Sequence, residues 1–284
     1  MLYGELFNTS LRKFEEKAGD NKTGIEILIR EAFNLSKTGF WARKNDIITD
    51  KRALAKFYRW RARLLKDEPL AYITGKKESY SRDFYVNRSV LIPRPETEIL
   101  IEAAIRWIKK MEHPVNVLDI GTGSGIIAVN IAVETGAKVI AVDKSRGALS
   151  VLKKNSALHR VHDNVVPFCA DLFPRKGQDK KGPFDVIVSN PPYVTEEEWQ
   201  ALPPHIKKYE PKEALVAAEE GLAVIRRIAA EAKDYLKPGG KIFLEIGYGQ
   251  KEKVEKILRD AGYDTIEFLP DYSHVFRVAS AIIG

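Results

Sequence analysis

Val115-Asn116-Val117-Leu118-Asp119-Ile120-Gly121-Thr122-Gly123-Ser124-Gly125 is the stretch on which the fold turns. The apolar run 115–120 reads as a buried strand, and a helix is expected to open near Ser124. The glycines between them let the backbone turn sharply and approach a ligand closely, and the helix N-terminus offers free amides. A dinucleotide fingerprint, Gly-x-Gly-x-x-Gly, would require Gly or Ala at position 126. The chain has Ile126, and its third glycine arrives one residue early, at Gly125. That spacing argues against NAD or FAD.

Working outward toward the carboxyl end, strands are expected at 138–142, 165–170, 185–189 and 241–246, with helices at 145–158, 221–236 and 251–261. The helix 221–236 is expected to end at Lys237-Pro238-Gly239-Gly240. Segments 263–269 and 274–282 finish the chain as strands with no helix between them, so they are expected to pair antiparallel. This alternation predicts an α/β fold with a mostly parallel, doubly wound sheet. Gly-x-Gly-x-Gly after an Asp-bearing strand resembles motif I of the class I methyltransferases. The resemblance implies a Rossmann-like seven-stranded sheet whose last strand is antiparallel. It also implies S-adenosyl-L-methionine as cofactor, held by Gly121, Thr122, Gly123, Ser124 and Gly125, with S-adenosyl-L-homocysteine as product.

Asp143 ends the second strand about 20 residues past the glycines, where a carboxylate can accept both ribose hydroxyls. The competing reading is a helix N-cap ahead of Ser145-Arg146. Asp171-Leu172 follows the third strand, where the methyltransferase fold places its adenine contact; a plain turn acid is the alternative there.

Ser189-Asn190-Pro191-Pro192-Tyr193 stands at the carboxyl end of the fourth strand, the edge at which open α/β sheets bind ligands. An amide nitrogen is a poor nucleophile because its lone pair is delocalised into the carbonyl. Acceptors on both of its N–H bonds would draw them out of plane and turn the lone pair toward a methyl donor. The Asn190 side-chain oxygen and the Pro191 carbonyl suit that task, two prolines fix the backbone, and Tyr193 can pack on a planar substrate group. Orientation and electrostatics are expected to supply most of the rate. Asn190, Pro191 and Tyr193 are therefore the expected catalytic residues, and Asn190 to Tyr193, including Pro192, the expected substrate contacts. An isolated Asn-Pro-Pro-Tyr would read as a Pro-rich turn.

Toward the amino end, Ile25, Leu28, Ile29, Ala32, Phe33 and Leu35 recur at helical spacing behind Thr23 as a cap. A second helix is expected at 51–66, with Leu54, Phe57, Tyr58, Arg61 and Leu65 as its packing stripe, broken by Glu68-Pro69. In 78–94, Phe84, Val86, Val90 and Ile92 alternate around Asn87-Arg88-Ser89 as a hairpin, closed by Pro93-Arg94-Pro95. The expected organisation is a small helical bundle at 1–77 for substrate recognition, a β-hairpin linker at 78–94 and a methyltransferase domain at 95–284.

The 46 basic residues nearly balance 39 acidic ones, so the net charge of +7 fits a solvated surface as well as a nucleic-acid partner. No run of about 18 apolar residues suggests a membrane span. The amino terminus reads as carrying no secretion signal, and one cysteine, Cys169, allows no internal disulfide, so a cytoplasmic protein is expected. Cys169 itself reads as a core residue of an apolar strand. His159 and His162 read as surface histidines with no metal pattern around them. The basic helix 52–66 reads equally as a partner contact or a solvated face, and 176–181 as a flexible loop.

Six stretches carry a closer resemblance: Glu68 to Gly75, Leu91 to Glu98, the glycine loop, Val188 to Tyr193, Tyr209 to Leu215, and Leu244 to Gln250. Together they resemble the PrmC/HemK family of protein-glutamine N(5)-methyltransferases. That resemblance implies transfer of a methyl group to the glutamine of the Gly-Gly-Gln loop of class I peptide-chain release factors. It implies, by position, cofactor contacts at Gly121 to Gly125, Asp143, Leu172 and Asn190, and a helical domain that helps hold the release factor. No direct nucleic-acid partner is expected, and a monomer is. The chain departs from the family where an aromatic-glycine pair often precedes the hairpin, reading Ser79-Tyr80-Ser81-Arg82, in its ending 270–277, and at Leu172, where some relatives have Trp. The main rival is a nucleic-acid exocyclic amino (adenine) methyltransferase, since Asn-Pro-Pro-Tyr also serves conjugated amines. No target-recognition domain or base-flipping module is evident in a chain this short. A non-catalytic scaffold is the other rival, against which the intact glycine loop, Asp143 and Asn190 argue.

Overall fold

Apolar side chains three and four apart build the first of two units into which the chain divides, Met1–Lys76 and Lys77–Gly284. The computed structural model describes residues 1–13, 22–174 and 183–283, so the loop expected at 176–181 lies outside the described residues. The first unit holds α1 (Tyr3–Arg12), α2 (Lys22–Phe33), α3 (Lys37–Ala42), α4 (Lys51–Leu64) and α5 (Leu70–Thr74). Helix α2 buries Ile25, Leu28, Ile29 and Ala32 against Leu6, Phe7, Phe40, Phe57 and Ile73. Asp50 caps α4, its carboxylate accepting from the backbone N–H groups of Arg52 and Ala53 at 2.9 Å. Arg63 grips the buried Glu68 carboxylate through two bonds of 2.8 and 2.9 Å, which fixes the turn into α5.

Two expectations shift here. Thr23 lies inside α2 rather than capping it. The buried face of α4 runs through Ala53 and Phe57, leaving Tyr58 exposed. The helical bundle expected there is observed, but only two of its helices are placed by periodicity, since α3 and α5 are six and five residues long, too short for a periodic signal.

A hairpin of β1 (Lys76–Ser79) and β2 (Arg82–Tyr85) follows, all but its first residue in the second unit. Its turn is Tyr80-Ser81, both at positive φ, 51° and 58°, and not Asn87-Arg88-Ser89 as the alternation suggested. Two residues at positive φ match the twist of paired strands, which is why this turn forms without a glycine at some conformational expense. The segment 86–94, expected to complete the hairpin, carries buried Val86, Val90 and Ile92 outside any strand.

The remaining elements are α6 (Thr97–Ile108), β3 (Asn116–Ile120), α7 (Ile126–Thr135), β4 (Lys138–Asp143), α8 (Arg146–Leu158), β5 (Val165–Cys169), β6 (Phe184–Ser189), α9 (Glu196–Ala201), α10 (Pro204–Tyr209), α11 (Ala218–Gly221), α12 (Ala223–Ala232), β7 (Leu236–Glu245), α13 (Lys251–Asp260), β8 (Tyr263–Pro270) and β9 (Phe276–Ile283). The sheet order is β5-β4-β3-β6-β7-β9-β8. Strands β3 to β7 pair in parallel, and β9 runs antiparallel to both β7 and β8. The expected fold class is thus the one observed. Alternate strand residues feed two cores: Val117, Val139 and Val186 face α6, α7 and α8, whereas Leu118, Ile187 and Ile242 face α12 and α13.

The helix expected at 221–236 is shorter, and 237–240 belongs to β7 with a register shift against β6 instead of forming a separate stop. Cys169 is exposed, not core, because β5 is the edge strand.

Candidate active site

Strand order reverses between β3 and β6, and a crevice opens at such a switch point beyond the carboxyl ends of the strands. The glycine loop leaves β3 on one side and Ser189-Asn190 leaves β6 on the other. The Ser189 hydroxyl donates to the Ile120 carbonyl at 2.8 Å, pinning the two strand ends together. Between them lies a cleft of about 470 Å³, within the range of small-molecule sites.

The cleft is lined by Gly121, Thr122, Gly123, Ser124, Asp143, Asp171, Leu172, Asn190 and Pro192 among the expected residues. Gly121 has φ +69°, and a Cβ added there would meet nothing within 4 Å, so its face of the loop is open to a ligand. Gly125 does not line the cleft. It sits at φ +83° against α8, where a Cβ would approach Leu152 Cδ1 to 2.3 Å, so its part is close packing of loop and helix. Asn155 ties the loop to the hairpin, donating to the carbonyls of Ser124 and Tyr85 and accepting from the Tyr85 N–H.

Asp143 accepts from Gly123 N at 3.0 Å through Oδ2 and from Ser145 N at 2.8 Å through Oδ1. The helix cap is Ser145, which accepts from Ala148 N. Each Asp143 oxygen accepts one hydrogen bond and so keeps acceptor capacity, and the residue lines the cleft. Asp171 pairs with Arg227 at 3.1 Å, and Leu172 takes φ +67°, an uncommon backbone state for a non-glycine residue. Ala170 and Val224 add apolar wall beside them.

Two buried carboxylates stand at the carboxyl ends of strands. Burial pushes Asp119 up to about 7, against a hydrogen bond from the Thr122 hydroxyl at 2.6 Å. Burial likewise pushes Glu245 up to about 7, opposed by hydrogen bonds from Thr97 and Tyr193. The Tyr193 hydroxyl donates to Glu245 Oε1 at 3.1 Å, and Thr97 donates to Oε2 at 2.7 Å. Burial and the adjacent carboxylate hold the Tyr193 phenol well above its usual range, so it stays protonated. Asn190 Nδ2 donates to Thr97 Oγ1 at 3.0 Å. Pro191 and Tyr193 are not among the residues that line this cleft, although both adjoin Pro192, which does. Beyond them, Gln250 donates to the carbonyls of Tyr193 and Glu220 while accepting from Gly247 N, a clasp on the end of the tetrapeptide.

Thr97, Glu245, Gln250, Arg94 and Glu210 also hold the site together, through contacts distant in sequence. Glu210, itself buried, accepts from Arg94, which lines the cleft, at 2.7 Å and from Ile92 N at 3.1 Å. A signal existed for Glu245: a single carboxylate closing the apolar run Ile242-Phe243-Leu244 is costly unless something engages it.

The methyltransferase small domain profile matches residues 97–203, and the PrmC N-terminal domain profile matches residues 5–75. The release factor glutamine methyltransferase of Geobacter sulfurreducens is 36% identical, covering 95% of this chain and 92% of that protein. The bifunctional methyltransferase of Rickettsia typhi is 37% identical over 95% of this chain and 56% of its own length. The chain spans about half the length of the bifunctional relatives it matches. Among solved structures, a methyltransferase from Pyrococcus furiosus superposes with a TM-score of 0.54 at 20% identity, over 80% of this chain and 98% of that one, a likeness of fold.

Proposed function

The chain belongs to the release factor glutamine methyltransferase family, and from that premise we propose that it methylates the side-chain amide nitrogen of the glutamine in the Gly-Gly-Gln loop of class I peptide-chain release factors. S-adenosyl-L-methionine is the proposed donor, and when bound it supplies an electrophilic methyl group. The open face of Gly121, the unused lone pairs of Asp143 and the apolar wall at Leu172 suit its methionine, ribose and adenine parts.

One observation carries the reading. The Nδ2 of Asn190 is engaged by Thr97, so Oδ1 is the branch left to accept from a substrate N–H at the cleft. Asn190 Oδ1 and the Pro191 carbonyl together accept the two N–H bonds of the glutamine amide. They draw the nitrogen out of conjugation with its carbonyl and aim its lone pair at the methyl group. With the donor bound, the nitrogen would gain the methyl as the methyl–sulfur bond breaks to leave S-adenosyl-L-homocysteine, and would then release one proton, so no strong base is needed at the start. Tyr193, held protonated by its bond to Glu245, supports the Pro191 turn from behind. Residues 1–77 are the proposed holding domain for the release factor, in a cytoplasmic monomer.

Purified protein with labelled S-adenosylmethionine is expected to label a release factor and to leave DNA and RNA unlabelled. Label in nucleic acid with none in the release factor would replace this reading with that of an exocyclic amine methyltransferase. Either way, no helix among the described residues is long and apolar enough to cross a membrane.

A further inference from the structure

A side-chain amide has two ends of nearly equal size and opposite polarity, so an Asn used as an acceptor must be prevented from presenting its NH₂ group instead. Here the constraint comes from proton counting. Glu245 is fully buried and, when ionised, has no proton to give. The Thr97 hydroxyl has one proton, which goes to Glu245 Oε2 at 2.7 Å, the shorter of its two contacts. The Thr97 oxygen can then act toward Asn190 only as an acceptor, which selects Nδ2 at 3.0 Å. Oδ1 is thereby turned away from Thr97. The other carboxylate oxygen is held by the Tyr193 hydroxyl at 3.1 Å, so both ends of the tetrapeptide hang on one buried carboxylate.

We propose that Thr97 and Glu245 are positioning residues that fix the amide orientation of Asn190, making it an acceptor toward the substrate nitrogen. The proposal rests on the functional reading above and deepens it. Thr97 opens α6 and Glu245 closes β7, so the polarity of the site is set by two elements that contribute neither the glycine loop nor the tetrapeptide.

The relay has a built-in pH limit. A protonated Glu245 can donate to Thr97 Oγ1, which frees the Thr97 proton to point at Asn190 and favours the flipped amide. The charged and titratable groups that act on Glu245 are Tyr193 after β6, Glu96 ahead of α6, which favours protonation, and Arg277 on β9, which opposes it. With Glu245 titrating near neutrality, kcat is expected to fall as pH drops below about 7.

The test uses the full chain with a release factor as acceptor. T97V keeps the side-chain shape and removes the hydroxyl, and T97S restores it. T97V is expected to lower kcat by about 10²-fold while KM for the release factor changes by less than about 3-fold, and T97S to recover most of the loss. E245Q, whose side chain does not titrate, is expected to lose the acidic limb of the kcat profile whatever its absolute rate, a readout that stands even if T97V fails to fold. Wild-type kcat in T97V, no recovery in T97S, or an acidic limb retained by E245Q would overturn the proposal. A wild-type protein that leaves the release factor unlabelled but methylates another amide or amine would instead overturn the substrate reading, and the same variants would then be compared on that acceptor.

Discussion

The two halves of the cleft are built in different ways. On the β3–β4 side the working groups are backbone: amides of a turn at positive φ, held by Asp143, all within one strand-loop-helix-strand unit. On the β6–β7 side they are side chains brought from afar, since the Asn190–Thr97 contact spans 93 positions and the Thr97–Glu245 contact spans 148. In the proposed function the first half recognises the donor by shape and amide direction, and the second must place one acceptor with the correct polarity. Local backbone geometry suffices for the former, and only tertiary packing can deliver the latter.

The largest expected effect falls on the side-chain half. N190A removes the acceptor and is expected to lower kcat by about 10³-fold or more, about 4 kcal/mol of transition-state stabilisation, with S-adenosylmethionine binding still measurable by calorimetry. Undiminished turnover would remove Asn190 from its role.

Next come two glycines, one from each half. A Cβ at Gly221, φ +78°, would lie 2.0 Å from the backbone oxygen of Tyr193, and main chain cannot step aside. G221A is expected to cost about 3 to 4 kcal/mol of stability. At Gly125 the obstructing atom is the tip of Leu152, which can rotate, so G125A is expected to cost about 2 kcal/mol. Denaturant midpoints that rank the pair in reverse would break the contrast between rigid and yielding neighbours.

Asp119 and Glu245, buried carboxylates at strand ends in each half, compare the halves electrostatically. Each is pushed up to about 7 by burial, so the folded state holds a proton that the unfolded chain releases near pH 4. Each therefore favours folding below that range and loses its contribution as pH rises toward 7. Relative to wild type, D119N and E245Q are expected to gain stability as pH climbs from 5 to 8, by on the order of 2 kcal/mol each. A stability gap that stays flat with pH would mean that neither carboxylate titrates in that window.

The smallest effect lies at the hairpin. Ser81 at φ +58° is strained where glycine would not be, and S81G is expected to raise stability by about 1 kcal/mol, read from a shift in the denaturation midpoint.

What could be read in advance follows the same division. The strand 115–120, the glycine loop and Asp143 were legible because their parts are neighbours and each has a local physical signature. The antiparallel finish was legible because no helix intervenes between the last strands. Thr97 carries no local signature and Glu245 only that of a carboxylate closing an apolar run, since the contact between them crosses 148 positions of the chain. The hairpin was misplaced for a related reason: Val86, Val90 and Ile92 are buried by tertiary packing, and their alternation imitates a strand. Tyr80-Ser81 lacks the glycine that usually marks such a turn. Exposure of Cys169 required the strand order, which no local window contains.

Glutamine methylation, the proposed activity, is read out by mass spectrometry of a release factor incubated with this protein and S-adenosylmethionine. One added methyl group is expected on the peptide carrying Gly-Gly-Gln, on the glutamine, and none on a release factor in which that glutamine is alanine. A methyl group on any other residue, or on the alanine-substituted factor to the same extent, would contradict it.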